Sequence, residues 1–467
     1  MKSRLICVSN RLSIPRRGLA ASGGLAVGLL SALRHTGGVW FGWSGEAVAE
    51  PGSARILTRD RIQFMTIDLS HEEVRDYYNG YCNSTLWPLF HYFSKLFRHE
   101  QREHDCWRGV NRRFAQQLIR VLRPEDVVWV HDYHLIPLGT ELRELGFKGR
   151  IGFFLHIPFP HRQMLRLLPH NEELIADLCN YDLVGLQSED DLDSLRSNLM
   201  TCEPRRVGAY PIGIDVESVA REARISHAEE PVQKMIRSLV NRKLIIGVDR
   251  LDYSKGLIER FQAFDQFLST FQESQGQVTF LQIAPLSRAD VSAYGEIRQA
   301  LEQAAGRLNG RYAEADWTPM RYLNRDFSHG TLMGFLRAAQ VGLVTPVRDG
   351  MNLVAKEFVA AQDPEDPGVL ILSPMAGAAA ELSAALLVNP YDKGGVAVAL
   401  ETALRMPLDE RRARYELLLA AVKRYDIHRW YGRFLRDLAG DQLTVGWPAE
   451  SGARATRDSG RSDRSLL

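Results

Sequence analysis

Cysteine is scarce in this chain, and what there is lies scattered. Five cysteines stand at positions 7, 82, 106, 179 and 202 of 467 residues. Their number is odd and none pair as C-x-x-C, which argues against zinc and dithiol redox motifs and favours a reducing cytoplasm. Long apolar runs are missing as well, and no stretch approaches the roughly 20 residues of a membrane span. The opening MKSRLICVSNRLS has too short an apolar core for a secretory signal and no small-residue cleavage site. Charge of one sign is not in excess either. With 58 Lys+Arg against 57 Asp+Glu the net charge is +1, so no strong field draws in nucleic acid or an anionic membrane. No internal repeat of fixed period is visible. Residues 447–467 are rich in Ser, Gly and Arg without periodicity and read as a disordered tail.

What remains is a chain of ordinary globular composition, 45% hydrophobic and 25% charged, long enough for two domains. Short apolar β-type runs recur between helical stretches: 5–9, 127–131, 151–156, 183–187, 244–248, 278–284, 341–345, 369–373 and 385–389. Runs apolar on both faces suit parallel strands covered by helices on both sides. The expected fold is therefore α/β, with two Rossmann-like doubly wound domains facing a central cleft. A charged, strand-poor segment near 218–240 suggests the boundary. The expected units are 1–238, 239–425 and a C-terminal helix within 426–446 that packs back on the first domain.

Several junctions carry chemistry. DRLDYSKGL (249–257) follows a strand directly, setting Arg250 and Lys255 beside a helix start. Two cations and a helix N-terminus make a diphosphate site. The same pattern also fits an exposed loop with solvated cations. VTPVRDGMNLVAKEF (344–358) is a second strand-to-helix junction. Asp349 stands at its mouth, Gly350 permits close backbone approach, and the amides of Met351 to Val354 are orphan donors. Asp349 also suits a plain helix cap, with Glu357 paired to a neighbouring Lys. SGGLAVG (22–28) resembles half of a dinucleotide fingerprint, yet Gly23-Gly24 before Gly28 fits a simple turn equally. Asp132 in VHDYHLIP and His156 in LHIPFP end apolar strands and so face the cleft. The aromatic run 77–92 reads either as a sugar platform or as helical core packing. SEDDLDS (188–194) offers clustered acids, but Ser188 three residues before Asp191 reads as a capped helix start, so no metal is expected there.

Taken together, SNR, SGGLAVG, GGVWFGWSG, LWPLFHY, VHDYHL, RIGFFLHIPFP, YPIGID, RLDYSKGL, QIAPLSR, TPVRDGMNLVAKEFVAAQDP and LVNPYD resemble the bacterial trehalose-6-phosphate synthases (retaining glycosyltransferase family 20, GT-B fold). They run in family order from residue 9 to about 392. The resemblance implies that glucose moves with retention from a nucleoside diphosphate glucose, by default UDP-glucose, to glucose 6-phosphate. It implies a donor site at Gly23, Gly24, Arg250, Lys255, Phe327 and Asp349, continuing through Gly350, Met351, Asn352, Leu353, Val354, Ala355, Lys356 and Glu357. It implies an acceptor site at Arg11, Trp40, Tyr78, Trp87, Asp132 and Arg288, with Arg250, Lys255, His156, Asp132 and Trp87 closest to the chemistry. No cofactor and no metal are implied, the partners are the two small substrates, and relatives form homo-oligomers (dimers or tetramers). The chain departs from the family pattern at His104 and Trp107, at Ala380, and in a short segment between Met200 and Tyr210. It lacks a D-x-D-x-T phosphatase motif, so a phosphorylated product is expected. A sister activity on glycerol 3-phosphate, a silent sugar-nucleotide sensor and a pyridoxal-dependent phosphorylase are the competing readings.

Overall fold

The computed structural model describes residues 3–12, 14, 24–200, 202–286 and 292–440. Gly23, Arg288 and the tail 447–467 lie outside the described residues. Two sheets organise the chain. The first contains β1 Leu5–Arg11, β2 Gly38–Val48, β3 Arg55–Arg59, β4 Ile62–Ser70, β5 Val127–His131, β6 Arg150–Phe154, β7 Leu183–Leu186 and β8 Val207–Ala209, in spatial order 3-4-2-1-5-6-7-8. The second contains β9 Lys243–Val248, β10 Val278–Ile283, β11 Met320–Leu323, β12 Val341–Val344, β13 Val369–Leu372 and β14 Leu386–Leu387, in order 11-10-9-12-13-14. Only β3 runs antiparallel, on β4.

The apolar runs from 5–9 to 369–373 are buried parallel strands, because both of their faces are covered by helices. The run 385–389 departs from this, yielding only the two-residue β14, whose Leu387 is exposed. Strands outside that pattern escaped the sequence reading. β2 is broken by glycines, β3 is exposed along its whole length, β8 has three residues, and β11 carries a central arginine. Strand order reverses between β1 and β5 in the first sheet and between β9 and β12 in the second. Ligands of open α/β sheets bind outside the strand carboxyl ends at these reversals.

Helix Val216–His227, expected within the first domain, packs instead on helices His329–Ala338 and Leu353–Ala361 of the second sheet. Burial of Val219 and Ala223 against that layer explains the difference. Helix Ile427–Ala439 returns to the first sheet. Its Trp430 and Phe434 rings lie 5.0 and 4.8 Å from Trp129. Cys179 and Cys202 are joined by a disulfide, with Cα atoms 6.2 Å apart. No motif marks that pair, because the fold alone brings together residues 23 apart. It departs from what a reducing cytoplasm, favoured from the cysteine pattern, leads one to expect, since disulfides are rare there.

Candidate functional site

The loop after β9 is held from below by a buried arginine. Arg260 projects from helix Leu257–Thr270 and donates to Asp249 Oδ2 (2.5 Å), Gln282 Oε1 (2.9 Å), Thr345 Oγ1 (3.0 Å) and the Lys255 carbonyl (3.2 Å). One side chain thus ties the ends of β9, β10 and β12 together. Burial pushes the Asp249 carboxyl upward, and Arg260 and Lys255 oppose that shift. Gly256 closes the loop at φ 63°, and a Cβ there would stand 2.5 Å from the Thr345 carbonyl oxygen. Only glycine fits that approach.

Above this support lie the two expected cations. Lys255 Nζ donates to Asp349 Oδ2 at 2.5 Å, and Asn352 Nδ2 donates to the same oxygen at 3.0 Å. Arg250 is exposed, with its guanidinium 5.6 Å from the centre of the Trp87 ring. Among the described residues it has no ion-pair partner, so its charge is available to an anion. Asp349 does not cap the following helix. Asn352 does, at φ 74°, accepting from the Ala355 amide at 3.3 Å. The first amides of helix Leu353–Ala361 remain without intrahelical carbonyl partners, as at any helix start.

The first sheet contributes from the opposite side. Asp132 takes φ 77° directly after β5, and its Oδ1 accepts from the His156 amide at 3.3 Å. A non-glycine in that region is strained, and such strain concentrates at functional sites. His156 Nε2 lies 3.1 Å from His131 Nδ1, while Gln187 Nε2 stands 3.5 Å from His156 Nδ1. Burial drives the His156 pKa down to about 3, so the ring is neutral near pH 7. The weakly engaged Nδ1 is its free handle. Gly350 seals the two halves together, since a Cβ there would sit 2.4 Å from the His156 carbonyl oxygen. Arg348 reaches across to the Tyr92 ring at 4.1 Å, and Phe93 packs on Tyr253 at 4.6 Å.

Beside this point, residues Val74–Leu86 form a π-helix. Such wide turns are frequent at functional sites. Its half-buried Tyr78 stacks on His134 (5.9 Å, 13° between planes) and meets Trp43 edge-on at 5.5 Å. Arg11 lies 5.7 Å from the Trp43 ring. Tyr77 and Tyr81 of the same stretch are fully buried, so most of the aromatic run is core, with Tyr78 and Trp87 at its edge.

Some expected residues stand elsewhere. Trp40 is 1% exposed, packs on Phe64, and donates to Ser9 Oγ at 2.8 Å, so it supports the site from the core without facing it. Trp43, three positions on, projects from the opposite face of β2, as strand alternation dictates. It is also buried, in the second core cluster, where it meets Tyr78 and Arg11. Lys356 is fully buried. Its ammonium pairs with Glu381 at 2.8 Å and donates to the Ile212 carbonyl at 2.8 Å, leaving no side chain for a donor. Ala355 and Met351 are core as well. Gly24 begins helix Gly24–Thr36. Phe327 is half-buried under the Arg325 guanidinium, 4.4 Å away. Glu357 lies 3.5 Å from His329 Nε2, and His329 Nδ1 lies 2.8 Å from Glu222. These acids, Glu357 first, raise the His329 pKa to about 9 against the cost of burial.

Sequence reasoning missed Trp43, His134, Gln187, Arg260, His329 and Arg348. Arg260 had left a signal, a charge inside the apolar stripe Leu257, Phe261, Phe264, Leu268. Ser188 does cap helix Glu189–Arg196, accepting from the Asp191 amide, which accounts for the acidic run there.

Comparison with known proteins agrees with this geometry. The model of glycosyltransferase family 20 matches residues 17–440. The trehalose-6-phosphate synthase of Cronobacter sakazakii is 48% identical over 451 residues, covering 93% of this chain and 95% of that protein. The crystal structure of an α,α-trehalose-phosphate synthase (UDP-forming) from Burkholderia vietnamiensis has a TM-score of 0.91 at 49% identity, covering 94% of this chain and 99% of that one. A Burkholderia xenovorans enzyme of the same description, in complex with glucose-6-phosphate, has a TM-score of 0.90 at 46% identity, covering 94% and 100%. The two facing α/β sheets with their GT-B arrangement, and a family match across most of the chain, establish that this protein is a member of glycosyltransferase family 20.

Proposed function

We propose that the chain is an α,α-trehalose-6-phosphate synthase, transferring glucose with retention from UDP-glucose to glucose 6-phosphate. One observation carries the reading: Arg250, without an ion-pair partner among the described residues, the Lys255–Asp349 pair and the helix start at Leu353 gather at the strand reversal of the second sheet. That set suits a leaving diphosphate, whose charge grows as the glycosidic bond breaks. Arg250 and the helix amides meet phosphate oxygens, while Lys255 exchanges its Asp349 contact for one. Two cations and a helix dipole supply the neutralisation that other transferases draw from a metal, so metal independence belongs to this reading. Glu357 accepts from the ribose hydroxyls. Asp349 and the His156 Nδ1 hold the transferred glucose.

On the facing side Arg11 and Arg288 bind the acceptor phosphate, and Tyr78, Trp87 and Asp132 bind its ring. The acceptor hydroxyl attacks from the face that the diphosphate leaves. A leaving phosphate oxygen takes the acceptor proton, and the oxocarbenium-like charge is shielded between the departing diphosphate and Asp349. No helix among the described residues is long and apolar enough to cross a membrane. We place the enzyme in the cytoplasm, with its phosphorylated substrates. Self-association is supported by β3, an exposed edge strand bearing Ile56 and Leu57.

The test is a nucleoside-diphosphate release assay crossing UDP-, GDP- and ADP-glucose with glucose 6-phosphate and glycerol 3-phosphate, with an EDTA arm. Release from UDP-glucose with glucose 6-phosphate, unchanged by EDTA, is expected. Release with glycerol 3-phosphate instead, or none with any pair, refutes the assignment.

A further inference from the structure

A second cluster of chemistry-bearing side chains shares no residue with the cleft. Helix Gln101–Leu118 supplies His104, helix Asn171–Cys179 supplies Glu173, and His170 caps the start of the latter. One nitrogen of each imidazole and a carboxylate oxygen all lie within 4.8 Å of one another. The two rings stack at 4.1 Å and 11°. Among the described residues this is the one such group.

The hydrogen bonds around it prepare a cation site. Gln101 Nε2 donates to Asp105 Oδ1 at 2.8 Å, which sets the direction of the amide. Its Oε1, 2.9 Å from His170 Nε2, must then accept from that nitrogen. The proton of a neutral His170 is thereby fixed on Nε2, and the Nδ1 lone pair faces Glu173 Oε1 at 3.2 Å. Two lone pairs do not face each other at that distance without a positive charge between them. His104 is buried beside His170, with its Nδ1 3.4 Å from Gln101 Nε2. A further imidazole, His99, stands 5.6 Å from His170 with its Nδ1 buried and unpartnered among the described residues.

We propose that His104, His170 and Glu173 bind a divalent transition-metal ion of the zinc class. Two imidazoles and a carboxylate suit zinc, nickel or copper better than magnesium or calcium. Tetrahedral bonds to zinc set donor atoms about 3.3 Å apart. The exposed Glu173 and half-buried His170 close the remaining gap by rotation, and His99 or water takes the fourth position. The hydrogen bond from His170 Nε2 to the Gln101 carboxamide oxygen is the kind of outer support that metal-ligating histidines use. Bound metal would clamp the starts of the two helices together. Tyr81, whose π-helix carries Tyr78, packs 5.2 Å from His104; the clamp is structural and stands apart from the transfer itself.

The experiment uses the full-length chain without a polyhistidine tag, stripped with chelator. It is titrated with Zn²⁺ by calorimetry and with Co²⁺ by visible absorption. One equivalent is expected to bind, with affinity lowered at least tenfold in Glu173→Gln and about a hundredfold in His170→Gln, and with the Co²⁺ spectrum lost in both. These two positions are at the surface, so folding survives, whereas His104 is buried. Cys106→Ser, which removes the one free thiol that is not buried, should bind as wild type. Absence of one-equivalent binding, binding unchanged in both variants, or binding lost in Cys106→Ser overturns the site.

Discussion

Replacing Arg260 tests whether one buried cation organises the donor half. Its side chain is fully buried, and so is the Asp249 carboxylate it pairs with at 2.5 Å. Arg260→Met keeps volume but leaves that carboxylate uncompensated, and removes donors from Gln282 and Thr345. Breaking a buried pair from one side costs about 3–5 kcal/mol. Orphaning a neutral acceptor costs roughly 1 kcal/mol more. The sum, about 4–6 kcal/mol, is a large part of a stability of roughly 5–15 kcal/mol. At about 2–4 °C per kcal/mol for a domain of this size, the half carrying the second sheet should melt roughly 8–24 °C lower. The assay is urea and thermal unfolding of Arg260→Met, Asp249→Asn and the double variant, with UDP-glucose turnover measured below each transition. The double variant should recover most of the single loss, because the stranded charge is gone. Loss below about 1 kcal/mol in Arg260→Met, or strict additivity in the cycle, would refute the argument.

Arg250→Ala should lower kcat/KM by on the order of a hundredfold or more while leaving the fold intact, as for loss of one transition-state donor. Near-wild-type turnover would remove Arg250 from the diphosphate site. His329 holds Glu357 through its imidazolium, with a folded pKa raised to about 9 from 6.5. Its stabilising contribution is complete below pH 6.5 and is lost as pH rises through about 9. The KM for UDP-glucose should therefore rise in that window, and His329→Gln should flatten the profile; a profile identical in both proteins counts against the link. Thiol titration of unfolded, oxidised protein should find three reactive cysteines, Cys7, Cys82 and Cys106, and five after reduction. Closing a loop of 23 residues is worth about 3 kcal/mol in the chain-entropy model, so reduction should lower the melting temperature, and five thiols without reductant would exclude the pair.

The sequence by itself determined the class of fold and marked most of the residues proposed for the cleft. Runs such as VVWVH and LIIGV are apolar on both faces, and only a helix-covered parallel strand buries both. Arg250, Lys255 and Asp349 were legible because each follows such a run directly, and a strand's carboxyl end is where these sheets hold ligands. The glycine at 350 was legible for the same reason, as close backbone approach leaves no room for a side chain. What the tertiary structure decided concerns long-range partners. A lysine on an amphipathic helix reads as exposed, and only packing revealed that Lys356 is buried against Glu381 and the Ile212 carbonyl. Trp40 and Trp43 are chemically alike, and the register of β2 alone sends one to the core on one face of the sheet and the other to the opposite face, against Tyr78 and Arg11. The grip of His329 on Glu357, the disulfide from Cys179 to Cys202, and the gathering of His104, His170 and Glu173 join segments with no shared local pattern. Their physical cause is distance in space, which no local period of the chain encodes.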